Sequence, residues 1–297
     1  MATLTGLSAF PLTPADPDGA VDLSALRRLL RPLVEAQVDS IGLLGSTGSY
    51  PYLSRAERRR ALDAALDEAS GRVPILVGVG ALRTDEAVRL AQDAKAAGAT
   101  AGLLAPVSYT PLTDDEVFSH FRAVAEGSGL PLCIYDNPGT THFTVSPALT
   151  GRLAQIDGVV AVKNPAPPSA EVVHHLALRR AAVPSRFSVG YSVDWFAAEA
   201  LLAGGDAWYS VAAGLWPRHC LAIARAAMSR DQAEARRLDA ALQPLWDLFK
   251  THSSLRVVYA AADVLGLCRA APPRPILPLA PEIRHRIADV VKALPQA

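Results

Sequence analysis

Of the 297 residues, Lys163 has the surroundings best suited to covalent chemistry. It closes the apolar run Val159-Val160-Ala161-Val162 and is followed by Asn164-Pro165, where the chain breaks. An amine at the end of a dry strand loses hydration, its pKa falls, and a nucleophilic fraction exists near neutral pH. Such an amine condenses with a ketone to a Schiff base. The other reading is a strand-end lysine with its ammonium in water. Strand alternation puts Lys163 on the same face as Val159 and Ala161, so either all three point into a closed sheet or all three face its cover. Tyr135 ends an earlier apolar run; it is a proton relay if it lies near the amine and a rim aromatic with a wet hydroxyl if it does not. Gly45-Ser46-Thr47-Gly48 offers two hydroxyls and a flexible backbone whose N–H groups suit a carboxylate of small 2-keto acid size. The same composition is also ordinary turn chemistry.

These residues need a scaffold that brings distant strand ends together. Eight short runs read as strands: Leu7–Leu12, Ser40–Leu44, Pro74–Val79, Ala101–Ala105, Pro131–Tyr135, Val159–Lys163, Arg186–Val189 and Ala207–Val211. Most are continuously apolar, as parallel strands covered on both faces are. Helical stretches separate them, such as Asp22–Gln37, Arg55–Ser70, Thr84–Ala97, Thr113–Gly127 and Asp194–Ala203. Ser54 with Glu57 and Thr113 with Glu116 read as helix starts, and Gly71, Gly98 and Gly127 as ends. Eight βα units predict a (β/α)8 TIM barrel over residues 1–225, with its chemistry at the carboxyl ends of the strands. A doubly wound nucleotide fold is disfavoured, because Gly78-Val79-Gly80 is followed by Arg83 where the fingerprint needs glycine. After Val211 the pattern turns helical: Pro217–Met228, Asp231–Lys250, Ser254–Leu267 and Pro281–Leu294 predict a C-terminal layer over residues 226–297.

Composition narrows the partners. Lys+Arg and Asp+Glu number 29 each, a balance that argues against a nucleic-acid partner. The amino terminus lacks the basic and apolar regions of a signal peptide, and no apolar stretch is long enough for a bilayer, so a cytoplasmic protein without a membrane partner is expected. Cys133, Cys220 and Cys268 stand far apart, which disfavours disulfides and a Cys-rich zinc site. His174-His175 are helix neighbours that cannot share a face, so no metal is expected.

The ordered set of Ala9-Phe10-Pro11-Leu12-Thr13, Asp18-Gly19, the Gly45–Ser49 loop, Tyr135-Asp136-Asn137-Pro138-Gly139, Val162-Lys163-Asn164 and Gly204-Gly205-Asp206-Ala207 resembles the dihydrodipicolinate synthase / N-acetylneuraminate lyase family of Schiff-base aldolases. The resemblance spans nearly the whole chain. It implies that Lys163 forms an imine with pyruvate or a longer 2-keto acid, with no cofactor beyond that covalent link. It implies that Tyr135 shuttles protons, that Ser46 and Thr47 hold the carboxylate, and that Thr47 links Tyr135 into a relay. Gly190, after strand seven, looks like the small residue that admits substrate. Family members are often homotetramers, dimers of tight dimers, in which an aromatic completes the neighbour's site; Tyr109 lies one step from that position.

Two departures bear on substrate. Synthases proper carry an arginine for the second substrate's carboxylate where this chain has Thr140, and a glutamate where it has Ser49. A threonine cannot replace a bidentate guanidinium. The reading is therefore a pyruvate-type lyase or aldolase acting on a small 2-keto acid. The alternatives are a dihydrodipicolinate synthase proper, a 2-keto-3-deoxy acid dehydratase, and a catalytically silent keto-acid-binding protein. Trp208, Tyr209, Trp216 and His142 are further candidates for shaping a pocket at the mouth.

Overall fold

Short apolar runs become parallel strands here because both of their faces find cover. The strands are β1 (Gly6–Ala9), β2 (Ser40–Leu43), β3 (Ile75–Gly78), β4 (Ala101–Leu104), β5 (Leu132–Tyr135), β6 (Val159–Pro165), β7 (Ser188–Ser192) and β8 (Ala207–Ser210). The structure, a computed structural model, describes residues 4–295. Each strand pairs in parallel with the next, and β8 returns to β1 through Gly6↔Ala207 and Leu7↔Trp208, closing a barrel. Around it run α1 (Leu23–Glu35), α2 (Arg55–Ala69), α3 (Thr84–Ala97), α4 (Asp114–Ser128), α5 (Pro138–Thr141), α6 (Pro147–Leu153), α7 (Val172–Ala182) and α8 (Asp194–Leu202). After β8 comes α9 (Pro217–Met228), which completes the eighth βα unit and packs against β1, and the C-terminal layer is α10 (Gln232–Ala241), α11 (Gln243–His252), α12 (Ser254–Val264) and α13 (Pro281–Ala293). This is the expected (β/α)8 barrel with a C-terminal helical layer. The boundary drawn at residue 225 falls inside α9.

Two apolar cores result. Leu4, Phe10, Leu76, Leu103, Cys133, Tyr135, Ala161 and Tyr209 fill the barrel interior. A larger outer core joins the strands' other face to the helices, with Leu26, Leu30, Phe121, Ile134, Val162 and Trp208 among its members. The helix starts are where capping chemistry puts them. The Ser54 hydroxyl accepts from the Glu57 N–H, and Thr113 and Glu116 form a reciprocal box.

Several boundaries differ from the sequence reading. The helix expected to stop at Gly127 continues to Ser128 and is capped by Gly129 in the left-handed region (φ 60°). The stretch Asp231–Lys250 is two helices, broken at Leu242, because Pro244 in the first turn of α11 has no N–H to continue the ladder. Strands β6 and β7 run two and three residues beyond the expected Lys163 and Val189, since each satisfies the other through Asn164↔Tyr191 and Pro165↔Ser192. Among the described residues no helix is long and apolar enough to cross a membrane.

Candidate active site

Tyr135 pairs with Lys163 in the β5·β6 register, so the two side chains leave neighbouring strands at the same height on the same face. That face is the interior, and a bulge decides it. Leu132 pairs with Val159 but Cys133 pairs with Ala161, leaving Val160 as an extra residue. Val159 therefore packs in the outer core while Ala161 lines the interior. The expectation that Val159, Ala161 and Lys163 share a face holds for the last two only.

Lys163 is 3% exposed. Its Nζ lies 3.7 Å from the Phe10 ring centroid, 4.4 Å from that of Tyr135 and 5.8 Å from that of Tyr209. Burial lowers its pKa to about 7, against a smaller opposing pull from Cys133 and Asp194. The Cys133 thiol is itself pushed up to about 12 by burial. Asp194, fully buried, is held by the Trp208 indole N–H at 2.8 Å and the Ala212 N–H at 2.9 Å. Burial raises its pKa and these bonds oppose the rise.

The Tyr135 hydroxyl lies 2.9 Å from Ser46 Oγ and accepts from Asn137 Nδ2 at 2.8 Å. Burial raises the phenol's pKa, and both bonds work against that rise. Ser46 reaches it from the turn after β2, which starts with Leu44 at φ 55° and closes with the Ser49 N–H donating to the Ser46 carbonyl at 3.0 Å. Thr47, expected to link Tyr135 into a relay, is buried on the same turn but makes no hydrogen bond to the phenol; Ser46 makes that contact. Ser49, at the glutamate position, meets the Tyr259 hydroxyl of α12 at 3.3 Å, and Tyr259 donates to the Thr13 carbonyl.

The segment after β5 is clamped from below. Asp136 is buried, accepts the Val145 N–H at 3.1 Å and faces Arg179 of α7 at 3.5 Å. Arg179, also buried, donates to the Val145 carbonyl at 2.7 Å and to Thr150 Oγ1 at 2.6 Å. Thr140 sits exposed on α5 and its hydroxyl donates to the Asn137 carbonyl at 3.2 Å.

Gly190 lies within β7 rather than after it, paired with Lys163 and Ala207. A Cβ there would stand 2.5 Å from the Tyr209 ring and 2.9 Å from Ala207 Cβ, so the space it leaves is taken by the barrel's own core. Tyr109 is 97% exposed, apart from the chain's own Lys163. Of the four mouth aromatics, Trp208 and Trp216 are packed in the outer core, His142 is exposed, and Tyr209 lies in the interior. Phe10, Asn137 and Asp194 were not singled out as site residues from the sequence. The signal for Asn137 was present, an amide two residues past the tyrosine; Phe10 is indistinguishable from other core aromatics until the barrel closes.

The sequence pattern of the Dihydrodipicolinate synthetase family matches residues 3–294. The chain belongs to that family. It is an enzyme, a lyase of the class I aldolase type. Among its relatives in the dihydrodipicolinate synthetase family is the 4-hydroxy-tetrahydrodipicolinate synthase of Methylococcus capsulatus, 34% identical over 94% of this chain and 95% of the relative. The crystal structure of dihydrodipicolinate synthase from Agrobacterium tumefaciens is 54% identical, with a TM-score of 0.96 and 99% of each chain covered. A monomeric dihydrodipicolinate synthase variant also superposes, at 26% identity and a TM-score of 0.89 over 98% of this chain and 97% of that one. Family membership thus leaves the assembly open.

Proposed function

We propose that Lys163 condenses with pyruvate and that the chain acts as a 4-hydroxy-tetrahydrodipicolinate synthase. One observation carries the mechanism: a buried amine with a pKa of about 7 over an aromatic floor, beside a phenol hydrogen-bonded to Ser46. The neutral amine attacks the C2 carbonyl of pyruvate, and the carbinolamine loses water to give the imine. Tyr135 delivers and recovers the protons of this step through Ser46. The backbone N–H groups of Ser46 and Thr47, with the Thr47 hydroxyl, receive the carboxylate. Loss of a methyl proton gives an enamine, whose carbon bonds to the aldehyde of aspartate semialdehyde; the amino group of that adduct then attacks the imine carbon, closing the six-membered ring and expelling the Lys163 amine. The names and coverage of the relatives support this activity over a generic lyase.

Thr140 favours a second reading, a lyase that releases pyruvate from an uncharged-tail 2-keto acid, since no guanidinium stands at that position to hold a second carboxylate. Borohydride reduction with pyruvate, followed by mass spectrometry, tests the shared mechanism: an adduct is expected on Lys163, and its absence would refute the imine. Turnover of pyruvate with aspartate semialdehyde, measured against cleavage of a panel of 2-keto acids, separates the two readings. The homotetramer, with Tyr109 at a subunit contact, is likewise a proposal; the 97% exposure of that ring supports it, and sedimentation tests it.

A further inference from the structure

We infer that Asn137 is a positioning residue that sets the direction of the Tyr135 proton, holding the phenol as a donor to Ser46. The inference rests on Tyr135 acting as the proton shuttle proposed above. A phenol has one proton, and an amide nitrogen can only donate. Asn137 Nδ2 at 2.8 Å therefore takes one acceptor position of the phenol oxygen, and the phenol's own proton goes to Ser46 Oγ at 2.9 Å. The Ser46 proton is then free to turn toward a group above Lys163. The wire runs Asn137 N–H to Tyr135 O–H to Ser46 O–H, with one orientation rather than two. When Tyr135 gives its proton to Ser46 and Ser46 passes its own to the group above Lys163, the Asn137 donor remains on the phenolate oxygen and offsets part of the burial cost of that charge.

The main chain that carries this amide is held in place from both sides. The Asn137 carbonyl accepts the Thr140 and Thr141 N–H groups at 2.9 and 3.0 Å and both threonine hydroxyls at 3.2 and 3.1 Å. Pro138, next in the chain, keeps Asn137 out of the helical region (φ −145°, ψ 70°). Asp136, just before it, is fixed by Val145 and Arg179. These anchors fix the main chain from which the Asn137 side chain reaches the phenol before substrate arrives. Thr140, where synthases carry an arginine, is one of those anchors here. The titratable groups near the phenol are Lys163 on β6 and Tyr50 after β2, and neither hydrogen-bonds its hydroxyl.

The test is the rate of borohydride-trapped pyruvate adduct on Lys163 in the full chain, for Asn137→Leu and Asn137→Asp, each also in a Tyr135→Phe background. Thermal unfolding of every variant reports on the fold. Both single variants are expected to slow trapping roughly tenfold or more, with Asn137→Asp at least as slow because a carboxylate cannot donate. In the Tyr135→Phe background neither should cost anything further, since Asn137 acts through that hydroxyl. A wild-type rate in Asn137→Asp would overturn the inference, because the side chain would then be accepting the phenol proton. An equal further loss in the Tyr135→Phe background would also overturn it, as a merely structural effect gives that result. No trapping in the wild type would refute the imine itself and this inference with it, an outcome distinct from the other two.

Discussion

Lys163 Nζ stands 3.7 Å from the centroid of the Phe10 ring, inside the barrel and out of water. An aromatic face attracts an ammonium by about 0.5–2 kcal/mol, which alone would raise the pKa. Full burial removes more hydration than three rings return, and the amine settles at about 7. The Phe10 ring can occupy that floor because residues 42 and 45 are glycines. A Cβ at Gly42 or Gly45 would lie 2.2 or 2.6 Å from its carbons. An apolar platform three strands away thus tunes the nucleophile without touching the substrate.

The first prediction concerns this amine. Pyruvate trapping on Lys163 should rise to half its plateau near pH 7, where an exposed lysine would need a pH near 10.5. Stability carries the same signature. Below pH 7 both states are protonated and folding bears the full cost of the buried ammonium. Between about 7 and 10.5 the unfolded chain holds a proton that the folded chain lacks, so stability rises with pH. Lys163→Met should therefore be more stable than wild type at pH 6, with an advantage that shrinks toward pH 10. Urea unfolding across that range checks it; a constant difference would mean that the amine's pKa is not depressed.

Tyr135→Phe removes one oxygen from a well-packed interior position. Imine formation should slow by roughly 10²- to 10⁴-fold, the usual contribution of a positioned acid–base group. The thermal midpoint should move little, because the ring still packs against the interior core. A full-speed variant would take Tyr135 out of the proton path.

The Asp136–Arg179 pair should be strongly coupled. Arg179→Met leaves the Asp136 carboxylate buried without its guanidinium, at a cost of about 3–5 kcal/mol in urea unfolding. Burial already raises the Asp136 pKa, with the Val145 N–H and Arg179 opposing. Removing Arg179 should raise it further. Replacing both residues with apolar ones should recover much of the loss; simple additivity of the two single losses would show that the pair is not an energetic unit.

Thr140→Arg should raise kcat/KM for aspartate semialdehyde by returning a carboxylate-binding guanidinium to the mouth. Its KM for pyruvate should be unchanged, since the Thr140 N–H bond to the Asn137 carbonyl survives the substitution and Thr141 keeps its own two bonds there. If the variant gains nothing, Thr140 is not what governs the second substrate.

How much of this was legible follows from the range of each interaction. Continuous apolar runs and capping pairs such as Thr113–Glu116 are local, and they placed the barrel strands and the helix starts. Pro244 was also in plain view as a helix breaker, yet the amphipathic pattern on either side masked it. Register is not local. The Val160 bulge depends on how β5 lies against β6, and it is the bulge that separates Val159 from Lys163's face. The choice of Ser46 over Thr47 as the phenol's partner depends on one left-handed residue, Leu44, which apolar character gives no reason to expect.

From the sequence alone, residue types and spacing determined a (β/α)8 barrel with Lys163, Tyr135 and a hydroxyl-bearing turn at its strand ends. Only the tertiary structure decided that Lys163 is dry, that Ser46 and Asn137 share the phenol, and that the gap at Gly190 is filled by Tyr209. The physical reason is that desolvation, hydrogen-bond direction and steric room belong to groups brought together across the barrel. Except for Asn137 and Tyr135, which are two residues apart, no single stretch of chain contains both partners of those contacts.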